Sequence, residues 1–118
     1  MSQVLLAEDN AAIGLALEDA LNDGGYTVVG PFASCSAALA WLRDATPDLA
    51  LLDLNLRDGP CVELARALRQ RGVPILVLSG DHQSECELDP ELWDVPWIEK
   101  PVASESLMNA LGALSVAA

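Results

Sequence analysis

Five short apolar runs, each ending abruptly in a polar residue or a turn, set what this chain can fold into. They are Val4–Ala7, Tyr26–Val29, Leu49–Leu54, Val73–Leu78 and the brief Trp97–Ile98–Glu99. Continuous rather than alternating hydrophobicity suits strands covered on both faces. Between the runs the apolar period changes to helical. After Glu8-Asp9, Asn10 offers an N-cap, and Ile13, Ala16, Leu17, Ala20 and Leu21 follow at i, i+3, i+4 spacing until Gly24-Gly25 stops them. Gly30-Pro31 breaks the second run, and Ser34 or Ser36 caps a helix through Leu42 that ends before Pro47. A third helix covers Val62 to Arg71, with Gly72 closing it, and Ser104 caps a last helix through Leu107, Met108, Leu111 and Leu114.

Strands alternating with helices imply right-handed crossovers and an α/β architecture whose parallel sheet is covered on both faces. Five strands in 118 residues match the flavodoxin-like (βα)5 arrangement, a five-stranded parallel sheet in the order 2-1-3-4-5. Residues 81–95 fit it least well. Six acidic residues and Pro90 interrupt any apolar stripe there, so the expected fourth helix is short or irregular. Pro96 demotes the strand after it toward a sheet edge.

Composition narrows the function. With 18 acidic and 6 basic side chains the net charge is −12, which argues against nucleic acid or an anionic membrane as partner. It fits a cation site or a partner with a basic surface. No stretch reaches the roughly 18 apolar residues of a membrane span, and Met1-Ser2-Gln3 lacks the basic start of a secretion signal, so a cytoplasmic location is expected. Cys35, Cys61 and Cys86 are odd in number, widely spaced and without a Cys-x-x-Cys pair. They are expected as buried or incidental thiols rather than a disulfide framework or zinc site.

Open parallel sheets bind ligands at the C-terminal ends of their strands. Glu8 and Asp9 end the first strand here, Asp53 the third, Ser79 the fourth and Lys100 the fifth. The first and third strands are neighbours in the expected order, so three carboxylates converge. They repel one another unless a hard cation sits among them, and an oxygen-only donor set favours Mg²⁺. A carboxylate is also a competent nucleophile toward phosphorus.

Glu8-Asp9, Asp53, Ser79 and Lys100-Pro101, each at the end of its own strand, resemble the receiver domain of bacterial two-component response regulators. The likeness covers residues 3 to 115. It implies that Asp53 is the phospho-acceptor and that Asp9 and Asp53 ligate Mg²⁺ directly. Glu8 then acts through metal-bound water, and the backbone carbonyl of Asn55 completes the set. By the same resemblance Ser79 bonds a phosphoryl oxygen, Lys100 pairs with another, and the Lys100-Pro101 bond is cis. The implied partners are a histidine kinase or histidine phosphotransferase and an unknown downstream protein. Self-phosphorylation and autodephosphorylation are the only implied reactions, so the chain is not expected to be an enzyme in the usual sense. One receiver domain over residues 1–118 with no output domain is expected, signalling by protein contact, although a piece of a longer regulator reads the same way.

Departures from the commonest pattern are Glu8 for Asp, Ser79 for Thr and the acidic segment 81–95. Trp97 stands where receivers usually carry a switching Tyr or Phe; it is either such a switch or an edge-strand anchor. Leu15 lies about 200° around the helix from Ile13, off the core stripe. It is either a docking contact for a kinase or phosphotransferase or an isolated surface leucine. Two other functions compete. One is a pseudo-receiver, a protein-binding scaffold that never takes phosphate. The other is an aspartyl phosphohydrolase of the haloacid-dehalogenase kind, disfavoured because Asn55 occupies the position of its acid/base Asp.

Overall fold

Three strands of the sheet carry the acidic cluster and the residues around it, so the sheet sets the frame. The computed structural model describes residues 2–53, 55–57, 59–60, 62–79, 95–99 and 103–117; at 55, 59–60, 79, 99 and 115–117 it describes the backbone alone. The strands are β1 (Gln3–Ala7), β2 (Thr27–Phe32), β3 (Leu49–Asp53), β4 (Asn55–Leu56), β5 (Gly59–Pro60), β6 (Ile75–Ser79) and β7 (Trp97–Glu99). The described helices are α1 (Ala11–Asp23), α2 (Cys35–Leu42), α3 (Val62–Gln70) and α4 (Ser104–Ala117). Five strands form one sheet in the order β2-β1-β3-β6-β7, every neighbouring pair parallel. Among these five the order is 2-1-3-4-5, as expected. The chain is an α/β protein of flavodoxin-like topology.

Strand pleating divides the core in two. Leu5, Ala7, Ala50, Leu52, Ile75 and Val77 point to one face and pack with residues of α2 and α3, such as Ala38, Leu42, Leu64 and Leu68. Val4, Leu6, Leu49, Leu51, Leu76 and Leu78 point to the other and pack with Leu17 and Leu21 of α1 and Leu107 and Leu111 of α4. Successive strand residues therefore both need to be apolar, which is why the runs are continuous. Each fully buried leucine contributes roughly 1.5–3 kcal/mol by removing its surface from water.

The helix ends follow local chemistry. Asn10 caps α1, its Oδ1 accepting from the Ile13 N–H at 3.0 Å. At the far end the Gly25 N–H donates to Asn22 O and the Tyr26 N–H to Leu21 O, with Gly25 at φ 90°. Ser34, rather than Ser36, caps α2 by accepting from the Ala37 N–H at 3.2 Å. Ser104 is not the cap expected of it. It is already helical, and the Leu107 N–H donates to the carbonyl of Ala103.

Three further features depart from expectation. β2 does not break at Gly30-Pro31 but runs on to Phe32, with a cis Gly30-Pro31 bond and Gly30 at φ 106°. The register with β1 shifts there, from Leu5 opposite Val29 to Ala7 opposite Phe32. β2 is an edge strand, where a bulge and a proline lacking an N–H are tolerated. Asn55–Leu56 and Gly59–Pro60 pair as a small antiparallel hairpin where only a polar turn was expected. Cys35 is disulfide-bonded, not an incidental thiol. The irregular helix expected within residues 81–95 lies outside the described residues except for Val95.

Candidate phosphoryl-acceptor and metal site

Ala7 and Leu52 are register partners in β1 and β3, so the next residues, Glu8 and Asp53, emerge side by side at the same sheet edge. Together with Asp9 they form a cluster in which carboxylate oxygens from all three residues lie within 4.8 Å of one another. Glu8 is 3% and Asp53 6% exposed, whereas Asp9 is open to solvent. At that separation two full charges repel by about 3 kcal/mol at an effective dielectric constant near 20. The three carboxylates could together hold a cation.

Glu8 is the most constrained member. Its backbone N–H donates to Phe32 O at 3.0 Å, and its Oε1 accepts from the Asn10 N–H at 3.2 Å, while Oε2 is buried. Helix α1 comes down close beside it. A Cβ placed on Gly14 would lie 3.2 Å from Pro31 Cγ and 4.0 Å from Glu8 Cγ. Gly14 thus lets α1 approach both Pro31 and the Glu8 stem closely. The sequence shows Pro31 only as a strand breaker, although a glycine within the apolar stripe of α1 is a signal that something approaches there.

The donor set is oxygen only, has three carboxylates and leaves one of them exposed. That suits a hard divalent cation of the Mg²⁺ type, which takes one or two carboxylates and keeps several waters. Receiver domains bind Mg²⁺ at an acidic cluster of this kind.

The remaining residues are placed unevenly. Asp53 is opposite Leu78, which puts Ser79 one residue further along β6 at the same edge; the structure describes its backbone. Asn55 opens the hairpin two residues after Asp53, paired with Pro60. The Arg57 N–H donates to Ala33 O at 3.0 Å, fastening this hairpin to the turn after β2. Lys100, Pro101 and the cis bond expected between them lie outside the described residues. Glu99, immediately before Lys100 in sequence, pairs with Ser79. Trp97 pairs with Val77 and is half-buried against the α2–α3 core. Leu15 is 59% exposed, on the outer side of α1, as its angular position predicted. No described helix is long and apolar enough to cross a membrane.

Residues 4–112 match the family described as the response regulator receiver domain. Over 83 residues, 68% of the chain, the sequence is 43% identical to the KDP operon transcriptional regulatory protein KdpE of Escherichia coli K12, covering 36% of that protein. The chain spans about a quarter to a half of the length of the curated relatives it matches. Among solved structures it is similar to SdrG from Sphingomonas melonis Fr1, at 35% identity and TM-score 0.82, covering 97% of this chain and 96% of that one. It is also similar to a response regulator receiver protein from Sinorhizobium medicae WSM419, at 29% identity and TM-score 0.87, covering 98% and 95%.

Proposed function

The chain belongs to the response regulator receiver domain family, and from that premise we propose that Asp53 accepts a phosphoryl group from a histidine kinase or histidine phosphotransferase. The observation that carries this reading is the Glu8–Asp9–Asp53 cluster, with Asp53 nearly buried at the end of the central strand. A lone buried carboxylate is costly, and a cluster of three is sensible where positive charge and a phosphoryl group come and go.

An Asp53 carboxylate oxygen attacks phosphorus in line with the phosphohistidine nitrogen. The O–P bond forms as the N–P bond breaks, and the imidazole leaves. Transfer of this kind passes through a loose transition state, so catalysis is mostly alignment and charge cancellation. Asp9, Asp53 and the Asn55 carbonyl would hold Mg²⁺, with Glu8 acting through water, and the ion would supply positive charge to offset that on the transferring oxygens. Ser79 donates its hydroxyl to one phosphoryl oxygen and Lys100 pairs with another. Trp97 reports or relays the change along the edge of the sheet, and Leu15 on α1 contacts the phosphodonor. The output is protein contact, in the cytoplasm, and the only reactions are uptake and slow loss of the phosphoryl group.

A scaffold that never takes phosphate would have no use for carboxylates from three residues held within 4.8 Å. The deciding experiment is intact-protein mass spectrometry after incubation with acetyl phosphate and Mg²⁺. One added phosphoryl group is expected on the native chain and none on Asp53→Asn. Equal labelling of both, or of neither, would sink the assignment.

A further inference from the structure

We propose that Gly30 is a positioning residue for the acidic site: the bulge it forms in β2 aims two successive carbonyls at the two sides of that site. This rests on the reading of Glu8, Asp9 and Asp53 as the Mg²⁺ site. From Leu5 opposite Val29 to Ala7 opposite Phe32, β1 advances two residues while β2 advances three. The extra residue brings Phe32 O into line to accept the Glu8 N–H at 3.0 Å. The next carbonyl, Ala33 O, accepts the Arg57 N–H at 3.0 Å. Arg57 directly follows the strand Asn55–Leu56, so this bond anchors the hairpin whose Asn55 carbonyl is proposed as a ligand. One dipeptide thus ties the Glu8 side of the site to the Asn55 side, although neither Phe32 nor Ala33 brings a ligand of its own.

Glycine is required for this bulge. Gly30 sits at φ 106°, a region that side chains rarely enter, and a Cβ there would lie 2.6 Å from Leu6 O and 2.8 Å from Phe32 N. Both are backbone atoms and cannot swing aside as the end of a side chain could. Strain from a larger residue therefore falls on Leu6, two residues before Glu8, and on Phe32, whose carbonyl holds the Glu8 N–H. Gly25 at φ 90° and Gly72 at φ 73° share the backbone requirement, but a Cβ at either would meet nothing within 4 Å. They separate strain in general from strain at the bulge. Groups that orient metal ligands without touching the ion commonly contribute roughly 10–100-fold to its affinity.

The test uses the whole chain without phosphodonor, so it does not depend on Asp53 as acceptor. Calorimetric titration with Mg²⁺ should show Gly30→Ala binding about tenfold or more weakly than the native chain. Gly25→Ala and Gly72→Ala should lose stability in urea, yet bind Mg²⁺ as the native chain does. A native chain that binds no Mg²⁺ sinks the reading of the cluster, and this role with it. Native binding matched by Gly30→Ala, or an equal loss in Gly25→Ala, overturns the role of Gly30 alone. Should Gly30→Ala fail to fold, amide exchange in the native chain decides. Saturating Mg²⁺ should slow exchange of the Glu8 and Arg57 N–H groups together. It should leave unchanged the Thr27 N–H, which donates to Ser2 O at the far end of β2. Exchange at Glu8 and Arg57 that does not respond to bound Mg²⁺ overturns the proposal.

Discussion

Gly14 of α1 rests against the Pro31 ring of β2 so closely that a methyl group has no ordinary room: its Cβ would be 3.2 Å and 3.3 Å from two ring carbons. Pro31 cannot readily give way, because the carbonyl of the next residue, Phe32, holds the Glu8 N–H. The contact fixes how far α1 stands from the acidic cluster.

Two glycine substitutions separate this packing from helix propensity. Gly112 lies within α4, and a methyl group there would meet nothing within 4 Å. Gly112→Ala should therefore stabilise the protein by about 0.5–1 kcal/mol. Gly14→Ala gains the same propensity but crowds Pro31, an overpacking cost of about 1–3 kcal/mol. Urea unfolding should show it net destabilising; a gain equal to that of Gly112→Ala would show that Pro31 yields freely.

Mg²⁺ should stabilise the native chain, because the folded state gathers the carboxylates and the unfolded state does not. At a concentration one hundred times its dissociation constant the gain is about 2.7 kcal/mol. Asp9→Asn should lose most of it, read as the shift of the urea midpoint with and without EDTA. Equal midpoints in the native chain would mean that the cluster holds no such ion.

Leu51 is fully buried in the central strand. Truncation to Ala should cost about 2–5 kcal/mol, measured by denaturant unfolding. A loss under about 1 kcal/mol would mean that the core closes over the gap.

Ser34 accepts from the Ala37 N–H, and its hydroxyl also meets that of Ser36 at 3.3 Å. Ser34→Ala removes the cap of α2 and should cost about 1 kcal/mol, while Ser36→Ala leaves that cap in place and should cost less. Thermal melts of the two variants decide it, and the reverse order would contradict the cap.

Leu15 is exposed, so Leu15→Glu should alter stability by less than about 0.5 kcal/mol. Phosphorylation by acetyl phosphate should be unaffected, because no partner surface is needed. Transfer from a phosphohistidine protein should slow several-fold if α1 is the docking face, and identical transfer rates would remove Leu15 from that role.

Much of this was legible in the chain itself. The apolar runs end in polar residues, and helical stripes alternate with them; matched to the flavodoxin-like order, that pattern brings Glu8, Asp9 and Asp53 together. What escaped was decided by tertiary contact. Gly30-Pro31 is a breaker by local rules, yet β2 continues through it because an edge strand can bulge. Ser104 looks like a cap, but the helix starts one residue early. Widely spaced cysteines gave no sign of a disulfide, since the fold rather than the spacing brings Cys35 to its partner.

The pleat that sorts the core also fixes Asp53. Residues 49 and 51 face α1 and α4 while 50 and 52 face α2 and α3, and Asp53 shares the parity of Leu49 and Leu51, as Glu8 shares that of Val4 and Leu6. The strand thus behaves like a reading frame. Deleting or inserting one residue in β1 or β3 would turn one carboxylate to the opposite side of the sheet while leaving the composition almost unchanged. Such chains should tolerate point changes along these strands far better than single-residue length changes.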